Sequence, residues 1–465
     1  MMNLSQICAA VNGTISDCDD IMVGGISINT RVNCSGRIFV ALKGENFDAH
    51  DYLDQARAAG ADALMVEQDI ESDLPIIQVA STHQALADLS NWWRSQFDIP
   101  VIGVTGSVGK TSVKEMLGSI FAQRGKGVVT QGNLNNEIGV PLTLMRLASD
   151  DLYAVIEMGM NNAGEIARIT QMAKPTIALI NNAAAAHLEG LGTIEAVADA
   201  KAEIFQGLSA GGTAVINNDD RFAAQWREAV TSFNVTTFAL DSNADITADY
   251  VAQTYGLHLA VNAKGQLFDV ELAVLGEHNA RNALAAIAVA VSAGVSIEHI
   301  QQGLADYRPI SGRLNVSHAG GVTLIDDTYN ANPLSMLAAI KVLAQKPDST
   351  LIIGDMAELG AAAHEEHRLL GQRAAELGVD KVLVCGEFAE VVADSFKKHS
   401  QTEQDATAFK SQAELIDYAL ANISSGVALV KGSRSAAMEL VVDALTHYLN
   451  KIPEDQAPKL EEGKH

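Results

Sequence analysis

Val101-Ile102-Gly103-Val104-Thr105 runs without a break into Gly106-Ser107-Val108-Gly109-Lys110-Thr111-Ser112. The first five residues read as a strand buried on both faces. Val113, Met116, Leu117, Ile120 and Phe121 then recur at helical spacing and predict an amphipathic helix. A strand, a glycine-rich turn and a helix start together make the setting of a phosphate-binding loop. Glycine lets backbone N–H groups approach phosphate oxygens, and a helix N-terminus favours anions. Within the loop, Lys110 is placed to reach terminal phosphates and the Thr111 hydroxyl to hold Mg²⁺. The long form of this pattern, G-x-x-x-x-G-K-[ST], would need glycine where Val104 stands, so the match is to the shorter G-x-x-G-K-T.

Three residues further along suit the same chemistry. The apolar run 152–156 ends in Glu157, a carboxylate at the expected C-terminal end of a parallel strand, where Mg²⁺ is commonly held. Many strands end in Glu, so the position alone decides little. Residues 176–180 predict another strand, followed by a loop that carries His187. A lone loop histidine is either a ligand or a structural group. Lys201 falls on the apolar stripe Ile194, Val197, Ile204, Leu208 of an expected helix. Either its stem snorkels past the helix edge, or it turns inward, where burial lowers its pKa. A neutral amine can take up carbon dioxide and become an anionic carbamate.

The whole chain has 465 residues, enough for two to four domains. Its net charge of −25 excludes a nucleic-acid coat, which needs clustered Lys and Arg. Local cationic pockets remain compatible with that balance. Four cysteines (Cys8, Cys18, Cys34, Cys385) without CxxC spacing point to a reducing compartment and no disulfide frame. The apolar stretch 283–291 is too short to span a bilayer, and the N-terminus lacks signal-peptide character. A cytoplasmic protein with no membrane insertion is expected.

Short β-rich runs alternate with helical patterns, so the fold class is α/β. Strands are expected over 36–42, 63–66 and 76–79 around a helix over 52–59. A second block runs from His83 to a break at Pro309-Ile310-Ser311-Gly312. A third restarts at Val322 and alternates strands (350–353, 381–384, 427–430) with helices, like a doubly wound sheet. The polar tail 453–465 is expected to be disordered.

Together the motifs resemble the Mur ligases, ATP-dependent amide-bond ligases of peptidoglycan precursor synthesis. Those carrying the resemblance are FVALKGENFDAH (39–50), TGSVGKTSVKEM (105–116), GNLNNEIGVP (132–141), AAHLEG (185–190), GEHNARNALAA (276–286), DDTYNANP (326–333), GDMAELG (354–360) and KGSRSAAM (431–438). The resemblance implies a small N-terminal UDP-binding α/β domain (1–82), a central P-loop ATPase domain with a mostly parallel sheet (83–310) and a C-terminal Rossmann-like domain (311–452). It implies a monomer acting on UDP-N-acetylmuramoyl-tripeptide and D-alanyl-D-alanine, with ATP and two Mg²⁺ ions. In that chemistry a substrate carboxylate attacks the γ-phosphate, and an amine then displaces phosphate from the acyl phosphate.

Carried over by residue, the resemblance gives Gly106 to Ser112 as the phosphate loop and Thr111, Glu157, His187 and carbamylated Lys201 as metal ligands. Lys110, Glu157, His187 and Lys201 become the catalytic group. Asn279 and Asn282 match an element near adenine, Arg313 an arginine reaching the phosphates after domain closure, and Asp327 a ribose contact. Thr30, Arg31, Lys43, Gly44, Phe47 and His50 match the UDP region, and Asn135 and Asn136 a region facing the muramoyl peptide. Asn29 replaces a frequent Asp, Asn162 a frequent His, and Ala202 a frequent Gly. A folylpolyglutamate-synthase-like ligase would share the loop and metal layout but not FVALKGENFDAH. A GTP-binding switch would need an N-K-x-D motif, which the chain lacks.

Overall fold

Residues 1–15, 20–184, 188–254, 256–401 and 404–450 are described in a computed structural model. The strand Val101–Thr105 lies inside a nine-stranded sheet, parallel to Ala154–Glu157 on one side and Ile177–Ile180 on the other. All five of its residues are buried, which is why its sequence is apolar throughout rather than alternating. The sheet continues through Thr213–Asn217 and Asn234–Ala239, all parallel, and ends at Val128–Val129 on the opposite edge.

Beyond Asn234–Ala239 the sheet carries three more strands, Ile246–Gln253, Gly256–Ala263 and Gln266–Leu272. The last two join antiparallel, an extension the sequence reading did not separate from the parallel core. Leu257, Leu259, Val261 and Ala263 are buried at every second position, the mark of a strand with one wet face.

The helix after the phosphate loop spans Lys110–Ala122 and buries Val113, Met116, Leu117, Ile120 and Phe121 completely. Against it pack Glu277–Ser292 and Ile297–Asp306. The second helix comes close enough that Ser119 donates to the Gly303 carbonyl at 2.6 Å. A Cβ at Gly303 would sit 2.4 Å from the Ile120 Cα, so only glycine permits this approach.

Besides a two-stranded pair, Met2–Asn3 with Met22–Val23, two larger sheets flank the central one in sequence. The first has five strands in the order Thr14–Ile15, Ile76–Gln78, Ala63–Val66, Arg37–Val40, Gly25–Ser27. The helix expected over 52–59 is a 3₁₀ turn, Ala49–Tyr52, followed by Leu53–Ala58. The helix Thr82–Arg94 serves two cores. Its start packs Ala85, Leu86 and Leu89 into the first sheet's core, while Asn91 and Arg94 donate to carbonyls of 171–174 in the central unit.

The third sheet has six strands in the order Asn315–Ala319, Val322–Asp327, Gly426–Lys431, Ser349–Ile353, Lys381–Cys385, Asp405–Phe409. All its pairs are parallel except the first. No regular element covers residues 307–314, between Ile297–Asp306 and the third sheet. The expected α/β class with three sheet-centred units is therefore present.

The helix carrying Lys201 is shorter than its apolar stripe suggested. It ends at Ala202 and tightens into the 3₁₀ segment Glu203–Gly207. Ile204 and Leu208 remain buried, reached by the tighter winding rather than by continuation of the α-helix. Cys8, Cys34 and Cys385 are free thiols; Cys18 and the tail 453–465 lie outside the described residues. Among the described residues no helix is long and apolar enough to cross a membrane.

Candidate active site

Gly109 precedes the helix in the left-handed region, φ +80°, and turns the chain so that the first helical N–H groups face one point. An added Cβ there would meet Asn282 Oδ1 at 2.2 Å and Asn181 Nδ2 at 2.6 Å. Gly109→Ala is therefore expected to lower nucleotide affinity by at least about tenfold, since left-handed strain alone is worth roughly 1–2 kcal/mol. Equilibrium titration with a fluorescent ATP analogue checks this, with circular dichroism confirming the fold.

A layer of amides holds the loop from behind. Asn182 accepts from the Val108 N–H at 2.9 Å and donates to the Val108 carbonyl at 3.0 Å. Asn181 donates to the same carbonyl and, at 2.9 Å, to Asn282 Oδ1. Asn217 donates to the Asn181 carbonyl. Asn279 donates to the Leu275 carbonyl, just before its own helix, and accepts from Asn282. Ser107 exchanges two bonds with Ala184. Asn279 and Asn282 thus support the loop and close the helix start. His278 beside them is lowered to about 4 by burial first and the charge of Lys431 second, so its imidazole is neutral at physiological pH.

Lys110 donates to the Gly106 carbonyl at 2.6 Å. Burial lowers its pKa; Glu157, Arg313 and Glu358 are the charges that act on it. Glu157 is buried at the end of its strand. Its Oε1 accepts from Asn135 at 2.8 Å, while its Oε2 is buried with no hydrogen-bond partner. A hard cation would satisfy that oxygen. Among the described residues no cluster of three His, Cys, Asp or Glu could hold a metal by itself. The donor set of Glu157 and the Thr111 hydroxyl therefore fits Mg²⁺ that completes its shell with phosphate oxygens.

Lys201 is buried, 1% exposed, and burial first, then the charge of Lys110, push its pKa well below the usual 10.5. His187 lies outside the described residues.

Arg313, from the irregular segment, reaches the phosphate loop. Its guanidinium donates to Thr111 Oγ1 at 3.0 Å and lies 4.1 Å over the Tyr329 ring. Arg313 thus ties the segment between the second and third units to the first helical turn after the loop. Asp327 ends the strand Val322–Asp327 and pairs with Lys431 at 2.7 Å. Burial raises Asp327 despite the attraction of Lys431. Both side chains are largely buried, so Lys431→Met should leave an uncompensated carboxylate and cost about 3–5 kcal/mol. Urea unfolding followed by tryptophan-independent far-UV dichroism measures that loss.

The residues of the first unit lie in one loop region. His50 is buried, with Nδ1 2.6 Å from Asp48 Oδ1 and Nε2 accepting from the Glu67 N–H. Both nitrogens are engaged internally, so His50 shapes the loop rather than presenting a ring to a ligand. Lys43 is exposed and 3.4 Å from Asp48; Gly44 donates its N–H to the Phe47 carbonyl. Phe47 is exposed and stacks on Tyr52. Thr30 is half-buried and Arg31 exposed. Asn29 accepts from the Arg31 N–H at 2.9 Å, the turn an Asp would make. Asn136 caps the N–H groups of Ile138 and Gly139. Asn162 donates to Glu165.

Sequence reasoning missed Asn181, Asn182 and Asn217 as loop supports, Lys431 as partner of Asp327, and Lys114 beside Glu157. The signal for the first two was their position directly after the strand Ile177–Ile180, the neighbour of the loop's own strand. Lys114 is a lysine one helical turn past Lys110.

Comparison with known proteins aligns these features. Residues 104–290 match the Mur ligase middle domain and 312–434 the Mur ligase, glutamate ligase domain. The chain is 43% identical over 450 residues to the UDP-N-acetylmuramoyl-tripeptide–D-alanyl-D-alanine ligase of Escherichia coli, covering 96% of this chain and 98% of that protein. A crystal structure of MurF from Acinetobacter baumannii superposes with TM-score 0.89 at 35% identity, covering 95% of this chain and 98% of that one. MurF ligase from Thermotoga maritima in complex with ADP superposes with TM-score 0.81 at 29% identity, covering 93% and 100%.

Proposed function

The chain belongs to the Mur ligase family, and from that premise we propose that it joins D-alanyl-D-alanine to UDP-N-acetylmuramoyl-tripeptide at the expense of ATP. The observation that carries this reading is the similarity, over nearly the whole length of both chains, to ligases of that name. The phosphate loop supports it independently, with Glu157, Arg313 and Lys201 each close enough to interact electrostatically with Lys110.

The tripeptide carboxylate attacks the γ-phosphorus of ATP, and the bond to the β-phosphate oxygen breaks, releasing ADP. The amine of D-alanyl-D-alanine adds to the carbonyl carbon of the acyl phosphate. The tetrahedral intermediate loses phosphate, and the amine loses a proton. The difficulty is bringing an anion to a polyanion, so the site must neutralise charge. Lys110 and Arg313 supply fixed cations at the loop. Mg²⁺, held by Thr111 and Glu157, supplies further neutralisation when bound.

Lys201 acts as a carbamate in this reading. Its unprotonated amine forms an N–C bond with carbon dioxide, one C=O pair moves to oxygen, and the nitrogen releases a proton. Burial first, and the charge of Lys110 second, lower its pKa and so favour the unprotonated amine. His187 and the Lys201 carbamate would hold a second metal, which would add to the neutralisation of charge. Asp327 and Asn279 line the nucleoside end, Arg31, Lys43 and the Phe47–Tyr52 pair grip the UDP group, and Asn135 faces the muramoyl peptide. The functional units are 1–82, 83–310 and 311–452, and the enzyme works as a cytoplasmic monomer.

Phosphate release tests the reading. It should require ATP, UDP-muramoyl-tripeptide and D-alanyl-D-alanine together. Turnover with a folate or glutamate acceptor, or nucleotide hydrolysis indifferent to both substrates, would overturn it.

A further inference from the structure

Lys114 stands apart from the residues used so far. It lies on the phosphate-loop helix, and its side chain is completely buried. Its Nζ is 2.8 Å from Glu115 Oε1 and 3.9 Å from Glu157 Oε2. Neither approach is aligned as a hydrogen bond, so Lys114 Nζ and Glu157 Oε2 are both buried polar atoms without a hydrogen-bond partner.

An ammonium in that place is costly. A methionine would fill the same volume, but it would leave the buried Glu157 carboxylate without the ammonium beside it, so charge rather than volume separates the two side chains. Packing therefore does not account for lysine. Nor can Lys114 contact a bound nucleotide, because none of its surface opens to the cleft. It acts only through its neighbours.

The neighbours that matter are those around Glu157. Asn135 is neutral and holds Oε1. Lys110 acts on Glu157 from the loop, Arg313 sits on Thr111, and Lys114 faces Oε2. Glu115 offsets part of the Lys114 charge, but it is one-third exposed, where water screens it. Glu157 therefore faces Lys110 and Lys114, while Arg313 and Glu358 act with opposite sign on Lys110. A divalent cation arriving alone would meet a single anionic donor with the Lys114 ammonium facing its second oxygen. Arriving with nucleotide phosphates, it brings its own anions.

We propose that Lys114 is a positioning residue that keeps Glu157 closed to free divalent metal, so that metal enters only as its nucleotide complex. This rests on Glu157 being a metal ligand, as read above. The ammonium holds Oε2 by charge until the phosphates arrive. The incoming complex then outweighs it, and Lys114 remains paired with Glu115.

Mn²⁺ binding to the full-length chain, followed by electron paramagnetic resonance, tests this without catalysis. Without nucleotide, Lys114→Met should bind Mn²⁺ at least about tenfold more tightly than the unaltered protein, the scale of losing one like charge a few ångströms away. Lys114→Arg should match the unaltered protein. Equal affinity in Lys114→Met and the unaltered protein, or the same gain in Lys114→Arg, would overturn the proposal. Glu157→Gln separates the two levels. If it weakens Mn²⁺ binding in the presence of a non-hydrolysable ATP analogue while Lys114→Met changes nothing, Glu157 is a ligand and Lys114 is not its guard. If the Lys114→Met gain persists in the Lys114→Met/Glu157→Gln double variant, the metal is not on Glu157 and both readings fall.

Discussion

Lys110→Met is expected to lower kcat/KM for ligation by about 10³-fold or more, the scale of losing one preorganised charge at a transferring phosphoryl group. The side chain reaches back over the loop, and its ammonium donates to the Gly106 carbonyl. It is half-buried, and a charge withdrawn from water acts more strongly than one in solvent. The reaction brings a carboxylate to a phosphate, so most of this stabilisation develops in the transition state rather than in nucleotide binding. The loss should accordingly fall mainly on kcat, with ATP affinity weakened less. Steady-state phosphate release together with ATP-analogue titration separates the two. Lys110→Arg should rescue poorly, because the wider guanidinium does not fit between Gly106 and the loop and would crowd Arg313. An unchanged kcat in Lys110→Met would remove Lys110 from the chemistry.

That prediction rests on a stretch legible in the sequence, and the reason is locality. Strand, turn and helix follow each other within residues 101–122, so an apolar run, two glycines and a helical stripe were enough to read them. Lys201 was half legible. Its place on an apolar stripe raised inward burial as one of two readings, but the α-helix ends one residue later and only the packed structure decides. Lys114 was not legible, because its burial depends on Glu157, which approaches from a strand some forty residues away in sequence. The amides Asn181, Asn182 and Asn217 were hidden for the same reason: their role arises from strand order. His50 shows the opposite case. Its motif suggested a ligand contact, while a local Asp48 and the Glu67 N–H take both ring nitrogens.

The second large effect belongs to Lys201, where activity and stability should move in opposite directions. Lys201→Ala is expected to abolish ligation, with bicarbonate or a short carboxylate in the vacated space restoring part of it. A fully active Lys201→Ala enzyme would end the carbamate reading. Lys201→Met, which fills the space without an amine, should be equally inactive yet more stable in carbon-dioxide-free buffer. Burial depresses the native pKa of Lys201 well below the usual 10.5, so between those values the unfolded chain binds a proton that the native chain lacks. Stability of the unaltered protein then rises with pH by about 1.4 kcal/mol per pH unit for that one proton. The penalty grows as pH falls towards the native pKa and vanishes above the unfolded one. Lys201→Met carries no such penalty, so its melting temperature should exceed that of the unaltered protein by a margin that widens as pH falls below the usual lysine value towards the lowered native one. Adding bicarbonate should narrow the margin, because a carbamate formed only in the native state stabilises it by mass action. A margin independent of both pH and bicarbonate would mean that Lys201 neither sheds its proton on folding nor binds carbon dioxide.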